Sequence, residues 1–136
     1  MPLLVPDVGE VRLLQYIVGN ASPTSLILNL YTNNKSPAES DTVSSYTPAT
    51  AAAGYSAATL NKDSWSIGTV SGTSSALYNN GITFTFGTAA STQNVYGYYV
   101  TDNSSNLLWA EIFPGAPFAL PASGGEIAIR PQVQLS

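Results

Sequence analysis

A chain of 136 residues with no cysteine and no histidine has room for one domain, held together by packing and backbone pairing alone. The missing histidines remove the usual general base, the Ser-His-Asp arrangement and histidine-metal clusters; the missing cysteines remove thiol nucleophiles and thiolate metal sites. Only 9% of residues are charged, the net charge is −4, and the cations Arg12, Lys35, Lys62 and Arg130 are scattered, so no basic stripe exists for phosphates and nucleic acid is not an expected partner.

Residues 1–6 read as an apolar N-terminal arm. Met1 to Glu10 has neither a cationic leader nor a long apolar run, and no apolar run in the chain is long enough to cross a bilayer, so neither export by a classical signal nor a membrane span is expected. Asp7, with Glu10 three residues later, predicts an N-terminal capping box for a helix over about 7–19, stopped by Gly19-Asn20. Val8, Val11, Leu14 and Val18, with Leu13 and Ile17 beside them, form a broad apolar face. That face is expected to lie on the rim of its own domain, with a contact between subunits as the alternative.

From Ser25 the period becomes two. Leu26, Leu28 and Leu30 alternate with Ile27, Asn29 and Tyr31, which predicts a strand ended by Thr32-Asn33-Asn34-Lys35. Residues 36–54 are rich in Ser, Thr, Ala and Pro, carry Glu39 and Asp41 near their start, and are too long for an ordinary connection. Weaker strands are expected at Tyr55–Leu60, Ser64–Val70 and Ala76–Tyr78. Asn79-Asn80-Gly81 reads as a hairpin turn before the strand Ile82–Phe86. Val95–Thr101 and Leu107–Phe113 flank Asp102-Asn103-Ser104-Ser105-Asn106 and read as two antiparallel strands joined by a polar loop. Pro114 to Gly125 reads as irregular. Ile127, Ile129, Val133 and Leu135 make a final strand in which Pro131, having no N–H, predicts an edge position or a bulge.

About seven or eight short strands and one helix at the start predict an all-β fold. The expected architecture is a two-sheet β-sandwich of jelly-roll or Greek-key type with one short N-terminal helix, a single domain over residues 1–136. A surface on which Ser, Thr and Asn replace Lys and Glu sheds its water at low cost, and a mean hydropathy of +0.10 leaves apolar area for contacts between chains, so self-association is expected.

Catalysis is not expected. Asp63, Asp102 and Glu111 are the acids placed at strand ends where a glycosidase pair could stand, but Asp102 occupies a turn position that favours Asp and Glu111 alternates outward. The loop 102–106 could offer oxygens to calcium, yet a single carboxylate is too little charge for a dedicated site, and neither metal nor cofactor is expected. Tyr96, Tyr98, Tyr99, Trp65 and Trp109 could form a sugar-stacking platform. In a regular strand Tyr96 and Tyr98 share one face and Tyr99 takes the other, so at least one set belongs to the core.

Taken together, Leu3-Leu4-Val5-Pro6-Asp7-Val8-Gly9-Glu10, Leu28-Asn29-Leu30-Tyr31-Thr32-Asn33-Asn34, Val95-Tyr96-Gly97-Tyr98-Tyr99-Val100-Thr101-Asp102 and Leu107-Leu108-Trp109-Ala110-Glu111 carry a resemblance. The chain resembles small structural proteins of tailed bacteriophages, and more narrowly the jelly-roll cement, or decoration, proteins that bind outside a capsid. The resemblance runs from Leu3 to Leu135, and residues 36–54 match nothing in it. It implies a non-enzymatic virion protein, made in the host cytoplasm, on the outer capsid surface. Its partners would be the major capsid protein and further copies of itself, as a dimer or trimer. Under that reading the arm residues Leu3, Leu4, Val5 and Pro6, and Glu39, Asp41 and Tyr46 of the long loop, are the expected capsid or subunit contacts. The alternative is a tail-fibre or receptor-binding sandwich that recognises host glycans through exposed aromatics.

Overall fold

The computed structural model describes residues 3–19, 21–23, 25–50, 54–89 and 91–135. A helix α1 (Asp7–Ile17) precedes the strands β1 (Leu26–Tyr31), β2 (Ala58–Leu60), β3 (Trp65–Val70), β4 (Thr73–Tyr78), β5 (Ile82–Phe86) and β6 (Gln93–Val95). There follow β7 (Gly97–Asp102), β8 (Leu107–Ile112), β9 (Phe118–Leu120), β10 (Gly125–Ile129) and β11 (Gln132–Leu135). Every pairing is antiparallel, in the orders β2-β1-β7-β8, β10-β5, β11-β4-β3 and β6-β9. The protein is an all-β sandwich with one short helix.

The sandwich closes because alternating side chains from opposed sheets meet. Leu28, Leu30, Tyr98, Val100 and Leu108 come from the four-stranded sheet, and Tyr78, Phe84 and Phe86 come from β4 and β5. Tyr55 stacks on Phe84 and Phe86 with ring centroids 5.6 and 5.3 Å apart, and its hydroxyl accepts the Leu30 N–H at 2.8 Å. A second cluster, Tyr31, Tyr46, Tyr99, Leu107 and Ala110, fills the opposite face of the four-stranded sheet. Buried on both faces, β7 has no solvent side along its length.

Three local expectations need correction. Asn79-Asn80-Gly81 is not a hairpin turn: β4 and β5 pair not with each other but with β11 and β10, so the segment is a jog in a long ribbon. Pro131 is buried opposite that jog, its carbonyl accepting the Tyr78 N–H at 3.0 Å, and the Arg130 guanidinium donates to the Tyr78 and Asn79 carbonyls. The ladder breaks where proline lacks a donor. The tight hairpin lies instead at Ser71-Gly72, whose φ values of 51° and 81° are those of a two-residue turn between β3 and β4.

The strand expected over Val95–Thr101 is two strands, broken at Tyr96. The Tyr96 N–H goes to the Tyr31 carbonyl at 3.0 Å and its carbonyl receives the Phe113 N–H at 2.8 Å. This break reverses the alternation, so Tyr96 joins Tyr99 against the second cluster while Tyr98 enters the main core. Gly97 permits it, since a Cβ there would collide with the Glu111 carbonyl and the Tyr31 ring. In the stretch expected to be irregular, residues 114–125, Phe118–Leu120 forms β9 on β6.

Candidate interaction surface

α1 begins without a side-chain cap. Pro6 is the N-cap, Asp7 is the first helical residue, and the expected Asp7/Glu10 capping box does not form. The long loop supplies the missing acceptor: the Asp7 N–H donates to the Glu39 carbonyl at 2.9 Å. At the other end Gly19, with φ 78°, turns the chain and donates to the Tyr16 carbonyl.

The helix sits on β8 through Gly9. A Cβ at that position would overlap the Leu108 carbonyl oxygen, so only glycine lets the helix axis come this close. Once Gly9 faces the sheet, the helical repeat turns Arg12, Leu13 and Tyr16 toward the domain as well, and these three are partly buried. Apart from Leu13, the apolar face named by the sequence then points away from the domain. Val8, Val11, Leu14, Ile17 and Val18 are 43, 57, 60, 78 and 66% exposed. The expectation that this face rests on its own sandwich is overturned, because the seat is chosen by the one residue small enough to approach a strand backbone. Five large apolar side chains thus stand together on one exposed helix face, and a contiguous exposed apolar patch is commonly functional. Beside it an open groove of about 560 Å³ runs toward the loop, with Val8, Val11, Gln15, Val43 and Leu107 along it.

Asp102 fixes the helix orientation. Its carboxylate is fully buried at the end of β7 and accepts from the Arg12 guanidinium at 2.8 Å and the Tyr16 hydroxyl at 2.7 Å. Within its own turn it accepts from the Ser104 N–H at 2.8 Å, the Asn106 N–H at 3.0 Å and the Asn106 amide at 2.8 Å. Burial opposes its charge, but the Asn106 N–H and amide, the Tyr16 hydroxyl and the Ser104 N–H outweigh that and hold it well below the ordinary carboxylate range. All this carboxylate's valence is directed into the protein, which is the geometry of a structural turn.

The residues expected to make contacts divide sharply. The arm is not free: Leu4 forms a bridge to Ala110 on β8, with N–H···O distances of 3.0 and 2.9 Å, Leu3 and Val5 pack on the core, and Pro6 is buried. It covers an edge that would otherwise be open. Asp41 and Tyr46 are 3 and 4% exposed, too buried to meet a partner. Asp41 pairs with Lys35 at 2.7 Å and accepts from the Tyr46 hydroxyl and the Ala38 N–H, both at 2.8 Å, while the Tyr46 ring stacks on Tyr99 and meets Tyr31 edge-on. These two residues pin the loop to β1 rather than presenting it. The side chain of Glu39 remains exposed.

The catalytic and sugar-binding candidates are dispersed. Asp63 is exposed and paired with Lys62 at 2.8 Å, Glu111 accepts from the buried Tyr98 hydroxyl at 2.8 Å, and Asp102 is sealed in its turn. Of these aromatics Tyr98, Tyr99 and Trp109 are buried, and Tyr96 and Trp65 are only partly exposed. No family model matches this chain, and no curated protein is similar enough to count as a relative.

Proposed function

We propose that this chain is a structural virion protein that binds the outer surface of a tailed-phage capsid and cements neighbouring capsomers, on a sandwich of jelly-roll type. The observation that carries this reading is the outward apolar face of α1, Val11, Leu14, Ile17 and Val18, on a protein with only 9% charged residues. Such a face buries apolar area against a partner with almost no ion desolvation, and repetition over a shell multiplies a modest contact by avidity. The sequence resemblance to cement proteins supports the same reading. The major capsid protein is the proposed partner, α1 and its groove are the proposed contact, and the outer capsid surface is the proposed location.

A fibre or receptor-binding role through stacked sugars draws no support from side chains that lie in the core, as Tyr98, Tyr99 and Trp109 do. The test is the copy number of the protein in purified virions, by quantitative mass spectrometry against the major capsid protein. A ratio comparable to the capsid subunit is expected; a few copies per particle, or none, would overturn the cement reading.

A further inference from the structure

Strand β3, Trp-Ser-Ile-Gly-Thr-Val from Trp65 to Val70, is the outer strand of the β11-β4-β3 sheet, and its last five residues are all exposed. Ile67 and Val70 are 81 and 78% exposed. Sheet edges are ordinarily blunted by charge, proline, a bulge or a covering segment. The β8 edge is covered by Leu4, and β11 begins directly after Arg130 and Pro131. In contrast, β3 contains no charge and no proline, and it pairs with β4 over all six residues without a register shift.

The direction of its free hydrogen-bonding groups follows from the hairpin. A two-residue turn makes Val70 and Thr73 a hydrogen-bonded pair, and the pattern alternates back through Gly68 with Ser75 and Ser66 with Leu77. The Asn79 N–H bonding the Ser64 carbonyl at 2.8 Å keeps the same parity. Trp65, Ile67 and Thr69 therefore aim their N–H and C=O groups away from β4, and an extended strand is the partner that satisfies them in order.

We propose that a second copy of this chain adds here, edge to edge and antiparallel, about a two-fold axis through Ile67, joining two β11-β4-β3 sheets into one continuous sheet. In that register Ile67 faces Ile67 of the other copy, covering the most exposed large apolar side chain on the described surface. Trp65 faces Thr69 in each direction, so all the outward groups pair at once. Charge favours this occupant: the strand is neutral, and each exposed Lys62–Asp63 ion pair falls beside the uncharged Ser71-Gly72 turn of the other copy. A charged peptide would gain no counter-charge along β3. The dimer gives the proposed cement a two-fold unit, but it stands on the isolated protein and does not depend on the capsid.

Because the chain has no cysteine, single thiols report the contact directly. In a hydrogen-bonded antiparallel pair facing Cα atoms lie about 5.5 Å apart, within disulfide reach, so Ile67→Cys is expected to cross-link into dimers under mild oxidation. Val70→Cys is as exposed, but faces Ser64 and lies roughly 20 Å along the strand from its own copy, so it is expected to stay uncross-linked. Light scattering of the unmodified chain is expected to give the dimer mass, and Ile67→Lys a monomer with unchanged circular dichroism. Equal cross-linking of both cysteine variants, no cross-linking of Ile67→Cys, or cross-linking of Leu14→Cys in its place would overturn the proposal. Capsid occupancy is read separately, so a monomeric result here leaves the cement reading to its own test.

Discussion

Arg12 on the helix and Asp102 at the end of β7 are 90 positions apart in the chain and 2.8 Å apart in space. The Arg12 guanidinium also lies 5.3 Å from the centre of the Tyr16 ring, and the Tyr16 hydroxyl reaches the same carboxylate oxygen. One buried carboxylate thus closes the 102–106 turn and orients the helix that carries the exposed apolar face.

Removing that carboxylate undoes both jobs. Asp102→Ala leaves the Ser104 and Asn106 N–H groups without their acceptor and is expected to cost about 2–4 kcal/mol of stability. Urea unfolding checks it, and a midpoint equal to the parent would refute the role. Arg12→Ala leaves the turn bonds intact and should shift the midpoint less.

Stability should fall on both sides of neutrality. The carboxylates of Asp102 and Asp41 are held below their ordinary 3.8; burial pushes each the other way, but hydrogen bonds to Asn106, Tyr16 and Ser104, and to Lys35, Ala38 and Tyr46, prevail. The unfolded chain takes up protons first, so stability that is full above 3.8 is lost progressively as pH drops below it. Burial raises the Tyr55 hydroxyl from 10.0 to about 12, and raises Tyr46 and Tyr98 further with help from Asp41 and Glu111. Unfolded tyrosines ionise first, so their contribution is full below pH 10 and declines above it. Melting temperatures across the range test this: a flat profile from about pH 5 down to about pH 2.5 would contradict the carboxylate assignment.

Gly9→Ala should destabilise the protein although alanine is the better helix former by roughly 1 kcal/mol. The added methyl meets the Leu108 carbonyl, a backbone atom that cannot move aside, and overpacking of this kind costs about 1–3 kcal/mol. A melting temperature at or above the parent's would show that the helix is not seated on β8 in this way.

The double change Val11→Lys and Leu14→Lys should leave stability within about 0.5 kcal/mol, since both side chains are more than half exposed. Capsid occupancy should drop markedly. In the parent, raising salt should release little protein, because so few charges are available to screen. Occupancy that ignores the lysines but responds to salt would move the contact away from α1.

How much of this was legible beforehand differs from element to element. Ile82–Phe86 was readable as a strand because its alternation is undisturbed, and β5 has those bounds. The amphipathic period of residues 8–18 announced a helix, yet an apolar stripe does not say whether it is turned inward, and the close approach of Gly9 to β8 reversed its direction. Asn79-Asn80-Gly81 has hairpin chemistry, but a jog needs the same residues, and the choice depended on Pro131 lying opposite. Asp41 and Tyr46 sit in a polar stretch without periodicity; nothing local foretold that Lys35, Tyr31 and Tyr99 would enclose them.

Composition and local pattern by themselves determined an all-β chain with one leading helix, a charge-poor surface and no histidine or cysteine chemistry. These are properties of single residues and near neighbours, and they survive whatever the chain folds against. Tertiary structure decided which apolar groups remain outside. That outcome depends on long-range contacts, the close approaches of Gly9 to Leu108 and Gly97 to Tyr31 and the ion pair of Asp102 with Arg12, and each contact uses one face of an element and leaves another for a partner.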